Sequence, residues 1–104
     1  MRSDLKVWYT MLSTIAYLGA FCVSTQGRDK AKIYIITKVI DAEFVLVADG
    51  QVRCLANPKK KRVKHIKVLS EAVDRKLLAS LLDGSVVDNE LHKAILKIAK
   101  KTTA

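Results

Sequence analysis

Ala31-Lys32-Ile33-Tyr34-Ile35-Ile36-Thr37-Lys38-Val39-Ile40 runs into Asp41-Ala42-Glu43, then Phe44-Val45-Leu46-Val47-Ala48, then Asp49-Gly50. β-branched and aromatic residues dominate both apolar runs, and each is too short for a helix of ordinary length. Both read as strands. The polar break at 41–43 turns the chain between them. Asp49-Gly50 is a strong hairpin signal, because glycine accepts the left-handed backbone of a tight turn. Two such strands in close succession point to a mainly antiparallel β fold.

Working outward, Gly19–Ser24 reads as a strand with Phe21 and Val23 on one face. Thr25–Asp29 reads as a turn in which Gly27 takes a left-handed conformation. Beyond Asp49-Gly50, Val52–Leu55 is expected to return as the fourth strand. Asn57-Pro58 breaks the ladder, since proline lacks an amide donor and restricts the residue before it. Val63–Val68 is the predicted last strand. Five short strands in about fifty residues suit a small barrel, which leaves no long exposed edge, with an open meander as the alternative.

From Leu69 the period turns helical. Ser70 is the predicted cap of a helix Glu71–Leu82, with Val73, Leu77, Leu78 and Leu81 on one side and Gly84 as its stop. Asp88 is the predicted cap of a second helix, Asn89–Lys100, striped by Leu91, Ile95 and Ile98. Neither helix is stable alone, so the hairpin is expected to pack on the barrel. At the other end, Leu5, Trp8, Leu12 and Ile15 fall at helical spacing behind Asp4. The chain therefore divides into an N-terminal extension (1–16), a barrel (17–69) and a helical hairpin (70–101).

Several classes are disfavoured. Val7–Gly27 carries no charge, but Thr10, Ser13, Thr14 and Gly19 interrupt it and its most apolar part falls short of a usual span. Neither a membrane helix nor an export signal is expected. Cys22 and Cys54 are too few for a disulfide framework and lack the spacing of a zinc site, so both are expected as buried thiols in strands. No metal and no cofactor is expected. The acids are scattered and pair with no Ser–His or Cys–His arrangement, so the chain does not read as an enzyme.

The charge is the functional signal. The formal net charge is +9, and Arg53–Lys67 holds seven Lys or Arg residues and no acid, leaving +2 for the rest of the chain. A field of one sign in one short segment is suited to a polyanion. Lys59, Lys60, Lys61 and Arg62 form a basic loop patch, which Lys64 and Lys67 carry onto the following strand. Arg28, Lys30, Arg53 and His65 are further candidates for contact with that polyanion. Gly27, Asp29, Asp49, Gly50 and Pro58 are read as turn residues. Tyr34 and Phe44 are expected in the core rather than stacked on bases. If all six cations from Lys59 to Lys67 met phosphate, the log-log salt slope of binding would approach roughly −5.

Gly27-Arg28-Asp29-Lys30, with Gly19–Ser24 before it and Tyr34–Ile40 after it, resembles the KOW motif. The likeness continues through Phe44–Gly50, Val52-Arg53 and Asn57–His65. This run is similar to the small KOW-domain RNA-binding proteins of bacteria and, through them, to large-subunit ribosomal proteins of the fourteen-e family of archaea and eukaryotes. It covers roughly residues 18–69, half of the chain. The resemblance implies an SH3-like barrel that binds structured RNA, usually ribosomal, in the cytoplasm, with ribosomal proteins as further partners. Its family glycine corresponds to Gly27, whereas a second glycine common in the family is replaced by Ala31. Two other functions compete: a DNA-binding or transcription-associated KOW protein, and a protein-interaction module built on the helices.

Overall fold

The computed structural model describes the backbone of residues 17–103 and the side chains of 17–100. The predicted helix within 1–16 lies outside the described residues. Five strands, β1 (Ala20–Ser24), β2 (Ile33–Val39), β3 (Phe44–Ala48), β4 (Lys59–Arg62) and β5 (Ile66–Ala72), form one sheet, followed by helices α1 (Arg75–Asp83) and α2 (Asp88–Thr103). Every pairing is antiparallel and the strand order is β4-β3-β2-β1-β5. The protein is thus mainly β with a C-terminal helical part, as expected.

The sheet is covered on both faces, which explains the near-continuous apolar run of β2. Tyr34 and Ile36 face one cluster with Ala20, Cys22, Val45, Val47 and Ile66. Ile35 faces the other cluster, with Phe21, Ala48, Leu77, Leu91 and Ile98. The second cluster is the seat of the helices: Leu77 anchors α1, and Leu91 and Ile98 anchor α2, with Ile95 partly buried beside them. Burying side chains of this size contributes about 2 kcal/mol each, which holds helices that are too short to persist alone.

The connection between β4 and β5 forces the sheet to curl. Edge strands of a flat five-stranded sheet stand about 19 Å apart, four spacings of about 4.8 Å. Yet Arg62 and Ile66 are joined by the three residues Val63–His65, wound into a single 3-10 turn, and four extended peptide steps reach at most about 14 Å. The sheet therefore curls until its edges approach. The turn is bonded on both sides: the Val63 amide donates to the Glu43 carbonyl (2.8 Å), and the His65 carbonyl accepts from the Thr25 amide (2.9 Å).

Three boundaries differ from the sequence-based expectation. Val52–Leu55 is not a strand. It belongs to a loop organised by Asp49, whose carboxylate accepts from the Gln51 and Arg53 amides (2.9 Å each). The fourth strand is the basic segment itself, Lys59–Arg62, beginning directly after Pro58. The last strand starts later and runs to Ala72, because Ala20 pairs with Ala72; that pairing overrides the helical spacing from Leu69. Asp74, not Ser70, then caps α1 by accepting from the Leu77 amide (2.8 Å). Gly84 ends α1 in the left-handed conformation, as expected.

Asp88 also takes another role. Its Oδ1 accepts from the Leu55 amide (2.7 Å) and ties the Asp49 loop to the start of α2. Glu90 instead reaches back to the Val87 amide (3.3 Å), the reciprocal half of a capping box. Gly50 (φ +79°) lies against this junction. A Cβ there would overlap the Asp88 carbonyl oxygen and come within 3.0 Å of the His92 nitrogen. Gly50→Ala is therefore expected to destabilise the fold by about 3 kcal/mol, from backbone overlap and an unfavourable φ together. The urea midpoint reports the loss; a midpoint equal to wild type would mean that the loop and α2 are not in contact.

Among the described residues no helix is long and apolar enough to cross a membrane, and the uncharged run Val7–Gly27 includes strand β1. Cys22 is a buried free thiol in β1; burial pushes it up to about 12, against a smaller opposite effect of Lys61. Cys54 is also free but lies in the Asp49 loop, not in a strand.

Candidate nucleic-acid interface

Strand geometry sorts the basic run by alternation. β4 pairs with β3 so that Val45 stands opposite Lys61 and Val47 opposite Lys59, while Phe44 stands opposite Arg62 and Leu46 opposite Lys60. Val45 and Val47 are fully buried. Directly opposed residues share a face, so Lys61 and Lys59 point inward, and Lys60 and Arg62 point out. The run predicted as one mobile loop patch is therefore an edge strand with two different faces.

The inward lysines converge on Asp29. Lys61 Nζ lies 2.9 Å from Asp29 Oδ1 and 2.9 Å from the Ser24 hydroxyl. Lys59 Nζ lies 3.0 Å from Asp29 Oδ2, which also accepts from the Tyr34 hydroxyl (2.8 Å). Ser24 donates to Oδ1 at 2.8 Å. Side-chain exposure is 9% for Lys61, 11% for Asp29 and 31% for Lys59, so the first two form a largely buried pair. Such a pair holds only when its remaining acceptor and donor sites are filled, and here they are. Burial alone would raise the Asp29 carboxyl, but hydrogen bonds from Lys61, Tyr34, Lys59 and Ser24 outweigh it and hold the group well below the usual carboxylate range. Tyr34 is shifted upward, by burial and by its bond to Asp29. It is a core residue, as expected.

This junction welds the turn after β1 to the edge strand. It sets Arg28 and Lys30, both exposed, beside β4. The turn itself is closed by the Ala31 amide on the Ser24 carbonyl (2.7 Å) and the Lys32 amide on the Asp29 carbonyl (2.9 Å). Ala31 sits at φ +74°, a conformation that costs a non-glycine residue about 1 kcal/mol. That is the backbone reason why glycine suits this position in the family the sequence resembles.

On the outer face, Lys60 Nζ stands 4.4 Å from the centroid of the Phe44 ring and the Arg62 guanidinium 5.3 Å. Phe44 is half-buried and lies outside both core clusters, contrary to the expectation of core packing. The physical reason is register: its partner on β4 is Arg62, on the outward side. Phe44, Lys60, Arg62, Gln26, Gly27 and His65 line one shallow groove, with Lys59 and Lys61 also contributing to its walls.

The other predicted residues fall as follows. Lys64 is exposed in the 3-10 turn and His65 half-buried there; Lys67 is exposed on β5. Arg53 is half-buried on the Asp49 loop and does not line the groove. Asp49 is buried and holds Lys32 at 2.8 Å; burial opposes its charge, but Lys32 and the two loop amides shift it downward. Lys61 has its ammonium engaged by the protein's own oxygens, so among the described residues the exposed cations on this side without an ion-pair contact are Lys60, Arg62, Lys64 and Lys67, with Arg28 and Lys30 alongside. Sequence reasoning missed Gln26 and the outward aspect of Phe44. Reading Lys59–Arg62 as a strand paired to Phe44–Val47 would have exposed the outward aspect of Phe44 and the two faces of β4; no local signal points to Gln26.

Fold and face together define a small, mainly β protein with a curled five-stranded sheet that presents a cationic edge. Comparison with known proteins narrows the class. The chain is 29% identical over 84 residues to the large ribosomal subunit protein eL14 of Aeropyrum pernix, covering 81% of this chain and 77% of that protein. It is 30% identical over 78 residues to its counterpart in Hyperthermus butylicus (75% and 72% covered) and 31% identical over 78 residues to that of Sulfolobus acidocaldarius (75% and 74% covered). No protein-family model matches the chain. The chain belongs to the family of large ribosomal subunit protein eL14. The matched length exceeds the span from residue 18 to residue 69, so the kinship reaches beyond the barrel.

Proposed function

We propose that this chain is a non-catalytic component of the large ribosomal subunit that binds structured ribosomal RNA in the cytoplasm, with neighbouring ribosomal proteins as further partners. Membership of the eL14 family supports the assembly. The single observation that carries the binding mode is the outward row of Lys60 and Arg62 on an edge strand, continued by Lys64 and Lys67. Phosphates are met by such cations without demand for one base sequence. Arg62 offers a planar fork to two phosphate oxygens, whereas the lysines act as mobile point charges. The barrel is read as a KOW domain of residues 17–69, and the buried Asp29 junction keeps its edge strand in place so that the cations stand on a rigid surface.

The helices are poorly placed for a DNA-reading role. The first turn of α2, where a recognition helix presents its base-reading side chains, is occupied by the Asp49 loop through Leu55 and Gly50. Crosslinking of the chain to cellular RNA, followed by mapping of the joined residues, tests the proposal. Crosslinks should concentrate on large-subunit ribosomal RNA and on residues 60–67. A uniform spread over unrelated RNAs, or equal competition by duplex DNA at one salt concentration, would reduce the chain to a general polyanion binder.

A further inference from the structure

Phosphate contact explains Lys60 and Arg62 but leaves Phe44 without a purpose. An aromatic ring outside the core, on an outward face and beside two cations, does nothing for a duplex backbone, which offers no accessible π surface. It is the combination found where single-stranded nucleic acid is bound, with bases stacked on aromatic or guanidinium planes and phosphates held by neighbouring charges. The groove adds three features of the same kind. Gly27 forms part of its wall at φ +86°, and a Cβ there would meet nothing nearer than Asp29 Oδ1 at 3.7 Å, so that wall carries no side chain to hold a ligand off. His65 supplies an imidazole and Gln26 an amide, the groups that recognise base edges. The groove is shallow and open to solvent, and the Asp29 junction ties β4 to the turn that carries Gln26 and Gly27.

We propose that this groove holds one unpaired nucleotide of the bound RNA, its base stacked with Phe44 and Arg62 and its flanking phosphates paired with Lys60 and Arg62. This rests on the reading of the chain as an RNA binder and names the part of the RNA that the face takes: a loop, bulge or end, not a continuous duplex.

Phe44→Leu tests it, because leucine keeps an apolar side chain on β3 and removes only the π face. Binding of an unstructured oligouridine and of a fully paired RNA duplex with the same number of phosphates should be measured by fluorescence anisotropy across a salt series. Phe44→Leu should weaken oligouridine binding about tenfold, the order expected for one lost stack, with its salt slope and the duplex affinity unchanged. Phe44→Tyr keeps the ring and should bind both probes as wild type does, which separates stacking from any loss of fold. Wild-type affinity of Phe44→Leu for oligouridine would overturn the stacking site while leaving phosphate contact intact. An equal loss on both probes would also overturn it. Failure of the wild-type chain to bind either probe would overturn the RNA reading beneath it.

Discussion

Asp29→Ala is expected to destabilise the protein by about 4 kcal/mol, the usual penalty for removing one partner of a buried ion pair. The loss comes less from the attraction that disappears than from what remains. Lys61 would keep a charge at 9% side-chain exposure with only the Ser24 hydroxyl and the Gln26 carbonyl as partners. The Tyr34 hydroxyl, buried at the same junction, would lose its acceptor. Chemical denaturation at neutral pH measures the effect, and a loss below 1 kcal/mol would show that the junction is dispensable. Asp29→Asn refines the test through pH. The folded carboxyl is held low, so its contribution is fully present above the unfolded carboxylate value, about 4, and drains as pH falls through that value toward the depressed folded one. The stability gap between wild type and Asp29→Asn should therefore narrow by about 1 kcal/mol between pH 7 and pH 3. A gap that widens on acidification would contradict the depressed carboxyl.

Replacing Lys60, Arg62, Lys64 and Lys67 together with glutamine should leave the fold intact, because all four are exposed. RNA affinity near physiological salt should fall by roughly 10²–10³-fold, and the log-log salt slope should flatten by about 3, at 0.7–0.9 per contact. The flattening is smaller than six phosphate contacts would give, because Lys59 and Lys61 are turned toward Asp29. The comparison with Lys61→Gln is the sharper experiment. That single change should lower stability and leave the salt slope nearly unchanged. If instead it cut the slope by a full contact with no loss of stability, Lys61 would be a phosphate ligand after all, and the division of β4 into two faces would be wrong.

The basic run shows how far a sequence carries and where it stops. Composition located the concentrated positive charge in Arg53–Lys67, which holds seven cations and no acid. It treated those cations as equivalent. They are not, because alternation along a strand sends side chains to opposite faces, and alternation applies only once the segment is known to be a strand. Four consecutive basic residues have no apolar pattern, so nothing local announces β4. Its strand state is imposed by Phe44–Val47, which offer an unpaired edge of amides and carbonyls. The same influence acts at β5. Leu69–Ala72 carries helical spacing, yet pairing with β1 keeps it extended to Ala72 and delays α1 to Arg75.

The sequence alone determined the class of fold, the two C-terminal helices, the Gly84 stop and the concentration of positive charge in one segment, because these rest on local periodicity, turn chemistry and summed charge. Only the tertiary structure decided which lysines are free, since a charge at position 61 becomes internal when the turn carrying Asp29 closes over it from thirty-two residues away. It also decided that Phe44 faces out, since a side chain's direction on a strand is set by the register of its partner and not by its own hydrophobicity.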